Sequence, residues 1–247
     1  MKIALVADLH ANREAVSAVL AHARDDGAQR YVFLGDLVGY GADPGWVVDQ
    51  VREHVAQGAV GVLGNHDAAV LRGPIPTMVT EAREAIAWTR SRLSPVQIEF
   101  LRGLPMSVTE HETLYVHANA WAPAEWDYVL SRADAVRSLQ ATDRRYVFCG
   151  HTHVPRLYHR TATGKAGEFA PTPDVPIPLS EQRRWLAIPG SAGQPRDRNP
   201  AACYATFDVD ARTLTFHRVP YDHHGAAAKI RAAGLPESLA RRLTDGA

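Results

Sequence analysis

The chain opens with MKIALVADLH over residues 1–10, and this stretch decides the fold. Lys2–Ala7 is a short and almost wholly apolar run, which is typical of a strand buried inside a sheet. The run stops abruptly at Asp8, and a histidine follows at position 10. A buried strand that ends in a carboxylate and an imidazole indicates a site at the edge of a sheet.

The pattern outward from this strand alternates strands with helices. Asn12 can cap a helix over about Arg13–Arg24, and Pro44 can begin a second helix. Further short apolar runs predict strands at Tyr31–Leu34 and Ala59–Leu63. Strands separated by helices of this length predict βαβ units and a parallel sheet.

The rest of the chain continues the mixture of helices and strands. Helices are predicted over Met78–Arg92, Val96–Leu101 and Arg132–Gln140. Strands are predicted at Met106–Val108, Thr113–Val116, Arg145–Cys149, Val154–His159, Trp185–Ile188, Ala202–Val209 and Thr213–Val219. Residues 161–184, rich in Pro, Gly and Thr, predict an exposed hairpin, and residues 222–247 predict peripheral helices. Without a linker between two cores, we expect a single domain over residues 1–247.

Composition narrows the class of protein. The 27 basic residues balance 27 acidic ones, which argues against stable nucleic-acid binding because such binding needs a basic surface. The only cysteines, Cys149 and Cys203, are far apart and suggest buried thiols rather than a disulfide framework or a zinc motif. No apolar run is long enough for a signal peptide or a membrane span. We expect a cytoplasmic protein without membrane association.

Polar residues with metal-binding chemistry come directly after several of the predicted strands. In open α/β sheets, ligands bind outside the carboxyl ends of the strands, so these residues are expected to converge. They are Asp8-Leu9-His10, Gly35-Asp36, Gly64-Asn65-His66-Asp67, His117 and Gly150-His151-Thr152-His153.

The side chains in these segments form a metal-binding inventory. Apart from His66, they offer four imidazoles, two carboxylates and one amide oxygen, which suit Zn, Mn, Fe, Co or Ni. Seven ligands are too many for one ion but fit two ions if a carboxylate bridges them, and Asp36 is our choice of bridge. On a regular strand, Asp8 and His10 would share a face, as would His151 and His153. Taken singly, a strand-end Asp or a lone His is more often a turn, cap or core residue.

In order and as a set, these segments resemble the motifs of calcineurin-like metallophosphoesterases. Residues 190–197, GSAGQPRD, extend the resemblance to a small bacterial phosphodiesterase branch with diadenosine-tetraphosphatase-like members. The resemblance implies an α/β fold, a four-layer α/β/β/α sandwich of two mixed sheets flanked by helices.

The resemblance also implies roles for individual residues. Asp8, His10 and His153 would hold one divalent ion, Asn65, His117 and His151 a second, and Asp36 would bridge them. His66 would stay free of metal and face the substrate, and Asp67 would orient His66 through a hydrogen bond. One departure is that Ala118-Asn119 follows His117 where this branch often has a Gly-Ser-Pro turn.

The implied activity is hydrolysis of a small phosphodiester or nucleotide by a hydroxide that bridges the two ions, with His66 serving the leaving group. Candidates for lining the pocket and contacting phosphate are Asn12, Arg13, Tyr40, Gln194 and Arg196, because arginine suits bidentate phosphate contact. The alternative for Arg13 and Arg196 is that they form surface salt bridges. Trp121, Trp126 and Tyr128 either stack on a nucleoside base or pack in the core. Alternatives are a phosphomonoesterase, a protein phosphatase, a nuclease subunit and a non-catalytic scaffold. The presence of every motif residue argues against the scaffold. Substrate, native metal and oligomeric state stay open.

Overall fold

The computed structural model describes residues 1–74 and 78–247. Within these ranges the strands are β1 Lys2–Val6, β2 Arg30–Phe33, β3 Val60–Gly61, β4 Ser107–Glu110, β5 Thr113–Val116, β6 Tyr146–Phe148, β7 Arg156–Thr161, β8 Ala166–Phe169, β9 Ile177–Pro178, β10 Arg183–Ile188, β11 Ala202–Asp208 and β12 Thr213–Val219. The helices in the same part of the chain are α1 Arg13–Asp25, α2 Pro44–Ala56, α3 Asn65–Arg72, α4 Thr80–Arg92, α5 Pro95–Gly103, α6 Arg132–Gln140, α7 His223–Ala232 and α8 Glu237–Asp245.

The strands form two mixed sheets of six strands each across the described ranges. The first has the order β3-β2-β1-β11-β12-β9, with β1, β2 and β3 parallel and the other pairs antiparallel. The second has the order β4-β5-β6-β10-β7-β8, with β5, β6 and β10 parallel. Because parallel strands end at the same edge of a sheet, the residues that follow β1, β2 and β3 lie side by side.

The two sheets pack face to face, with helices on the outer faces. Along β1, Ile3 and Leu5 point into the core between the sheets, whereas Ala4 and Val6 point toward α1 and α2. A strand covered on both faces needs apolar residues at every position, which explains its unbroken apolar run. On the other side α6 covers the second sheet through Leu139. The predicted α/β/β/α sandwich is confirmed.

One helix was not expected from the sequence. Residues 65–72 form α3, which starts at Asn65 and therefore carries part of the predicted site in its first turn. Its start is stabilised by Asp67, whose Oδ2 accepts from the amide of Gly64 at 3.0 Å. The predicted helix over Met78–Arg92 begins at Thr80 instead.

Residues 161–184 do not form a single hairpin, so that prediction was wrong. β7 and β8 pair as a hairpin in the second sheet. The chain then crosses over, and β9 pairs with β12 at the edge of the first sheet. Leu179 is buried and Ile177 packs against the core between the sheets, so burial of these apolar side chains explains why the segment bridges the two sheets.

The C-terminal helices pack on one another and on α1. Their apolar faces, including Ile230, Leu239 and Leu243, enclose the ring of Tyr40. The amide of Arg198 also donates to the carbonyl of Gly246 at 2.7 Å. These helices therefore contact the loop after β10 as well as the helical layer. Among the described residues, no helix combines the length and apolar character that a membrane crossing requires.

Candidate metal centre

Several of the predicted site residues have a left-handed backbone. The φ angles are 54° at Asp8, 46° at His10, 51° at Asp36, 68° at His151 and 64° at His153. Non-glycine residues rarely adopt such angles, which cost about 1–3 kcal/mol each and cluster at functional sites. The chain thus turns sharply where each strand ends, and these turns direct the side chains toward one another.

We had expected the pleat of a strand to place these residues on one face, but it does not. β1 ends at Val6 and β6 ends at Phe148, so Asp8, His10, His151 and His153 all lie beyond the strands. The expectation that each pair shares a strand face was therefore wrong. Left-handed turns instead bring Asp8 and His10 into one group and direct His151 and His153 toward different groups.

A first group contains Asp8, His10 and His153, all of them buried. The Nε2 atoms of His10 and His153 are 3.0 Å apart. His153 Nε2 is 3.6 Å from Asp8 Oδ1. The carboxylate of Asp8 is held from behind by the amide of His151, at 2.9 Å from Oδ1.

A second group contains Asn65, His117 and His151. His117 Nε2 is 3.1 Å from Asn65 Oδ1 and 3.2 Å from His151 Nδ1. The three side chains come from α3, from the end of β5 and from the turn after β6. They are the three residues that the family resemblance implies for the second ion.

Asp36 lies between the two groups. Its Oδ2 is 3.7 Å from His10 Nε2 and 3.5 Å from His117 Nε2, and its side chain is 1 % exposed. Its other oxygen, Oδ1, accepts from the amide of His66 at 2.8 Å. One carboxylate oxygen thus faces both groups while the other holds the start of α3.

Backbone carbonyls fix the tautomers of three of the imidazoles. Nδ1 of His10 contacts the carbonyl of Val38 at 3.2 Å, Nδ1 of His117 that of Leu34 at 2.7 Å, and Nδ1 of His153 that of Gln194 at 2.6 Å. Since a carbonyl can only accept, each Nδ1 carries a proton and each neutral ring presents the Nε2 lone pair to the centre. Two such lone pairs 3.0 Å apart repel one another unless a cation lies beside them. The donor set therefore fits divalent metal ions.

The same burial controls protonation at the centre. Burial lowers the pKa of His10 and His153 well below the usual range, and that of His151 to about 3. Burial raises the pKa of Asp8 to about 7. Burial also opposes the charge of Asp36, but the adjacent His117 outweighs it, so the pKa of Asp36 is well below its usual value.

His117 shows the converse effect. Burial alone would lower its pKa, but the carboxylate of Asp36 raises the pKa of His117 to about 9. Without metal, His117 and Asp36 therefore form a buried ion pair. Metal binding has to displace the proton that His117 carries.

His66 lies beside these groups without a hydrogen bond to its ring nitrogen Nδ1. That atom is buried and has no partner among the described residues. The ring centroid is 4.4 Å from that of Tyr40 and 5.0 Å from that of His10. Gly39, with φ +86°, lies so close that an added Cβ would collide with Nδ1. Burial lowers the pKa of His66.

The predicted hydrogen bond between His66 and Asp67 is not formed. Asp67 Oδ1 accepts from the amide of Val38 at 3.2 Å, and Oδ2 accepts from the amide of Gly64. Both oxygens accept hydrogen bonds from backbone amides, so Asp67 positions the loop around Val38 and the start of α3 rather than the ring of His66. The expectation was wrong because a carboxylate at the third position of a helix caps the backbone readily.

Tyr40 and Arg196 form one wall of the site. The Tyr40 ring is 4.6 Å from the His10 ring between centroids. The guanidinium carbon of Arg196 lies 5.8 Å from the Tyr40 ring centroid, and Arg196 Nη2 donates to Gln194 Oε1 at 3.0 Å. Both residues therefore lie next to the centre, where the sequence analysis placed them, as does Gln194.

Aromatic residues cover the second group. Tyr128 stacks on the ring of His151 with centroids 4.0 Å apart and planes 14° apart. Trp126 contacts the ring of His117 edge-on at 5.9 Å. Trp121 instead packs against the guanidinium of Arg137 at 4.6 Å, so of the three predicted aromatic residues only Trp126 and Tyr128 reach the centre.

Two of the predicted phosphate contacts have other partners. Asn12 is buried; its Oδ1 accepts from the amide of Ala15, and its Nδ2 donates to the carbonyl of Gly193 at 2.8 Å. Asn12 is therefore a helix cap and loop tie, and its prediction as a phosphate contact was wrong. Arg13 is exposed and lies over the ring of Trp46 at 5.2 Å, a surface contact that does not involve the centre.

Sequence reasoning missed the groups that hold the ligands in place. The carbonyls of Leu34, Val38 and Gln194 carry no side-chain signature. Ser191 is buried, donates to the carbonyl of Asp8 at 2.7 Å and accepts from the amide of Gln194 at 2.8 Å. Only the GSAG segment at residues 190–193 hinted at such a close approach.

Comparison with known proteins decides the family. A model of the calcineurin-like phosphoesterase superfamily domain matches residues 1–212. The chain belongs to this superfamily. The family consists of phosphoesterases, and the match leaves α7 and α8 outside its span.

Two similar proteins align with nearly the whole chain, and a third shares the fold over most of it. A metallophosphoesterase from Sphaerobacter thermophilus is 37% identical, with a TM-score of 0.88 over 100% of this chain and 99% of that one. The uncharacterized protein MJ0912 of Methanocaldococcus jannaschii is 33% identical over 98% of this chain and 96% of its own. A diadenosine tetraphosphatase-like protein shares the fold, at 16% identity and a TM-score of 0.51 over 89% of this chain and 94% of its own.

Proposed function

We propose that the protein is a metal-dependent phosphodiesterase with two adjacent divalent ions. Asp8, His10 and His153 would hold one ion and Asn65, His117 and His151 the other, and Asp36 would contact both. The observation that carries the proposal is the place of Asp36, whose Oδ2 is within 3.7 Å of His10 Nε2 and 3.5 Å of His117 Nε2. Nitrogen and oxygen donors without thiolate suit Mn, Fe, Zn, Co or Ni.

Ions bound there would lower the pKa of water that attacks phosphorus and would neutralise the phosphoryl oxygens. The protein's own contribution begins with orientation. The carbonyls of Leu34, Val38 and Gln194 hold three imidazoles with Nε2 inward, and hydrogen bonds of this kind typically improve metal affinity or activity by about 10–100-fold.

His66 serves the leaving group. Its ring lies 5.0 Å from the His10 ring between centroids, and one of its ring nitrogens lies within 4.8 Å of ligand atoms of His10 and Asp36, which leaves a polar atom beside the centre for the substrate. A neutral imidazole there donates a hydrogen bond to the leaving oxygen, and an imidazolium transfers a proton to it. An alkoxide needs this help, whereas a phenolate leaves readily without a proton.

Arg196 binds the phosphate. It is half-buried, its Nε has no partner among the described residues, and it faces Tyr40 next to His10. A planar guanidinium can contact two phosphate oxygens at once. Tyr128, exposed on the face of the second group, offers a surface against which the organic part of a small ester or nucleotide can stack.

A metal panel tests the proposal. Metal-free protein is loaded with Mn, Fe, Co, Ni or Zn, and the kcat/KM for bis(p-nitrophenyl) phosphate is compared with that for p-nitrophenyl phosphate. We expect hydrolysis to need metal and to favour the diester. The variant Asp36→Asn should lower both rates by a factor on the order of 10³ and bind fewer ions.

The outcomes separate the alternatives. Full activity of Asp36→Asn would refute the bridging role of Asp36. A preference for the monoester would indicate a phosphomonoesterase and not a phosphodiesterase. Metal binding without hydrolysis of either ester, or of a phosphopeptide, would favour a scaffold. The exposed Asp210→Asn serves as a matched control, since it removes one carboxylate far from the centre.

A further inference from the structure

Helix α8 reaches the site although it lies outside the residues that match the family. The guanidinium carbon of Arg242 is 5.9 Å from the ring centroid of Tyr40. The same ring is 4.6 Å from His10 and 4.4 Å from His66 between centroids. Arg242 is thus one aromatic ring away from the centre.

Arg242 has an unbalanced charge. It is half-buried, and no ion pair or side-chain hydrogen bond joins it to another described residue. Its neighbour Arg241 is exposed and pairs with Glu237, with Nε 3.6 Å from Oε1. A half-buried guanidinium without a counter-ion is costly, because it loses hydration and gains no partner.

A second guanidinium faces the same ring. Arg196 lies 5.8 Å from the Tyr40 centroid, so residues nearly fifty positions apart place two positive charges around one tyrosine. Like charges repel, so an anion within reach of both guanidinium groups would stabilise the pair. The two arginines therefore form a cationic wall that continues outward from the metal ligands.

The wall is held together by the backbone. The amide of Arg198 donates to the carbonyl of Gly246 at 2.7 Å, which docks the end of α8 on the loop that carries Arg196. A Cβ at Gly246 would lie 2.6 Å from the amide nitrogen of Asn199, so the two segments are in close contact. Such fixed spacing reduces the ordering cost of binding.

We propose that Arg242 is a specificity-determining residue that, together with Arg196, binds a second phosphate group next to the scissile one. The substrate class is a phosphoester that carries a further phosphate close to the scissile ester. This inference rests on the proposed function and deepens it. Arg196 alone would suffice for a substrate with one phosphate.

Binding of two nucleotides tests this role. AMP and α,β-methylene-ADP differ by one phosphonate group, and the latter resists hydrolysis at its bridge. Calorimetry with metal-loaded protein gives both dissociation constants for the wild type, Arg242→Gln and the control Arg241→Gln. Metal content and circular dichroism are recorded for each variant.

We expect Arg242→Gln to raise the dissociation constant of α,β-methylene-ADP by about tenfold more than that of AMP, because a charged hydrogen bond is lost only with the longer ligand. Arg241→Gln should leave the ratio of the two constants within about twofold. Arg242→Lys should recover part of the ratio, since it restores charge without the planar fork.

Equal losses for both nucleotides would overturn the inference, because Arg242 would then only support Tyr40. Unchanged dissociation constants for both nucleotides in Arg242→Gln would overturn it as well. Hydrolysis distinguishes this failure from that of the proposed function. If the wild type cleaves neither aryl ester but Arg242→Gln still changes the ratio of the two dissociation constants, the proposed phosphodiesterase function is wrong and the proposed second phosphate site is supported.

Discussion

The Nε2 atoms of His10 and His153 lie 3.0 Å apart, although each ring uses Nδ1 to contact a backbone carbonyl. The two residues are more than 140 positions apart in the chain, and both are buried. The fold thus holds two lone pairs together at a cost that a cation offsets. Burial lowers the pKa of both imidazoles well below the usual range, so both lone pairs are available to a metal ion.

Metal affinity should rise with pH. In the metal-free protein, the pKa of His117 is about 9 and that of Asp8 about 7, so near pH 6.5 both groups hold protons that bound ions must displace. Affinity should increase from pH 6 to 9 and level off above that, with about one to two protons released near pH 6.5. Calorimetry in buffers of different ionisation enthalpy counts these protons. A pH-independent affinity would contradict the assignment.

Replacing His66 should affect alkyl esters more than aryl esters. The change His66→Ala removes an imidazole whose ring nitrogen lies beside His10 and Asp36, and general-acid help is worth about 10²–10⁴-fold. We expect a loss in that range for a methyl nucleotide diester and a much smaller loss for its p-nitrophenyl counterpart. Steady-state kinetics with both esters measures the split. Equal losses would remove the leaving-group role, and His224→Ala, an exposed histidine, is the control.

Two glycine variants separate backbone strain from a local collision. Gly39 and Gly27 have φ of +86° and +82°, but only at Gly39 does an added Cβ meet the ring of His66. Both alanine variants should lose about 1–2 kcal/mol of unfolding free energy from the left-handed backbone. Only Gly39→Ala should also lose activity, by about 10²-fold through displacement of the ring. Denaturant unfolding and kinetics decide, and equal activity in the two variants would contradict the placement of His66.

Both thiols should be unreactive in the folded protein. Cys149 and Cys203 are buried, and burial raises the pKa of each thiol. Since the thiolate is the reactive form, a disulfide reagent such as Ellman's should label neither residue until denaturant unfolds the chain, and then label both. Rapid labelling of Cys203 alone would mean that the loop around Gly190 opens in solution.

The sequence allowed the two-sheet architecture and the set of converging residues to be predicted. Apolar runs such as Lys2–Ala7 predict strands that are covered on both faces. Polar residues such as Asp36 and His117, which closely follow predicted strands, indicate a site at the carboxyl ends of the strands. The turns that orient these residues were not predictable, since Asp and His are enriched at left-handed φ but mostly adopt other angles, so residue type alone does not reveal the turns at Asp8 or His10. These angles depend on tertiary packing.

Contacts over long separations escaped prediction for a related reason. The tie of Asn12 to Gly193 and the approach of Arg242 to Tyr40 join segments about 180 to 200 residues apart. Asp67 was misassigned because the same carboxylate suits a ring or a backbone amide equally well, and only the start of α3 at Asn65 decides between them. The crossing of β9 to the first sheet follows from burial of Leu179, which a short loop-like sequence conceals.

The neighbours of β1 set an order of events for the nascent chain. β1 lies between β2 and β11, and β11 begins only at Ala202 of 247 residues. Until residues 202–208 have been synthesised, one edge of β1 stays without its native neighbour. The first sheet can therefore be completed only after that point, and a polypeptide that terminates before it has an open sheet edge that invites aggregation.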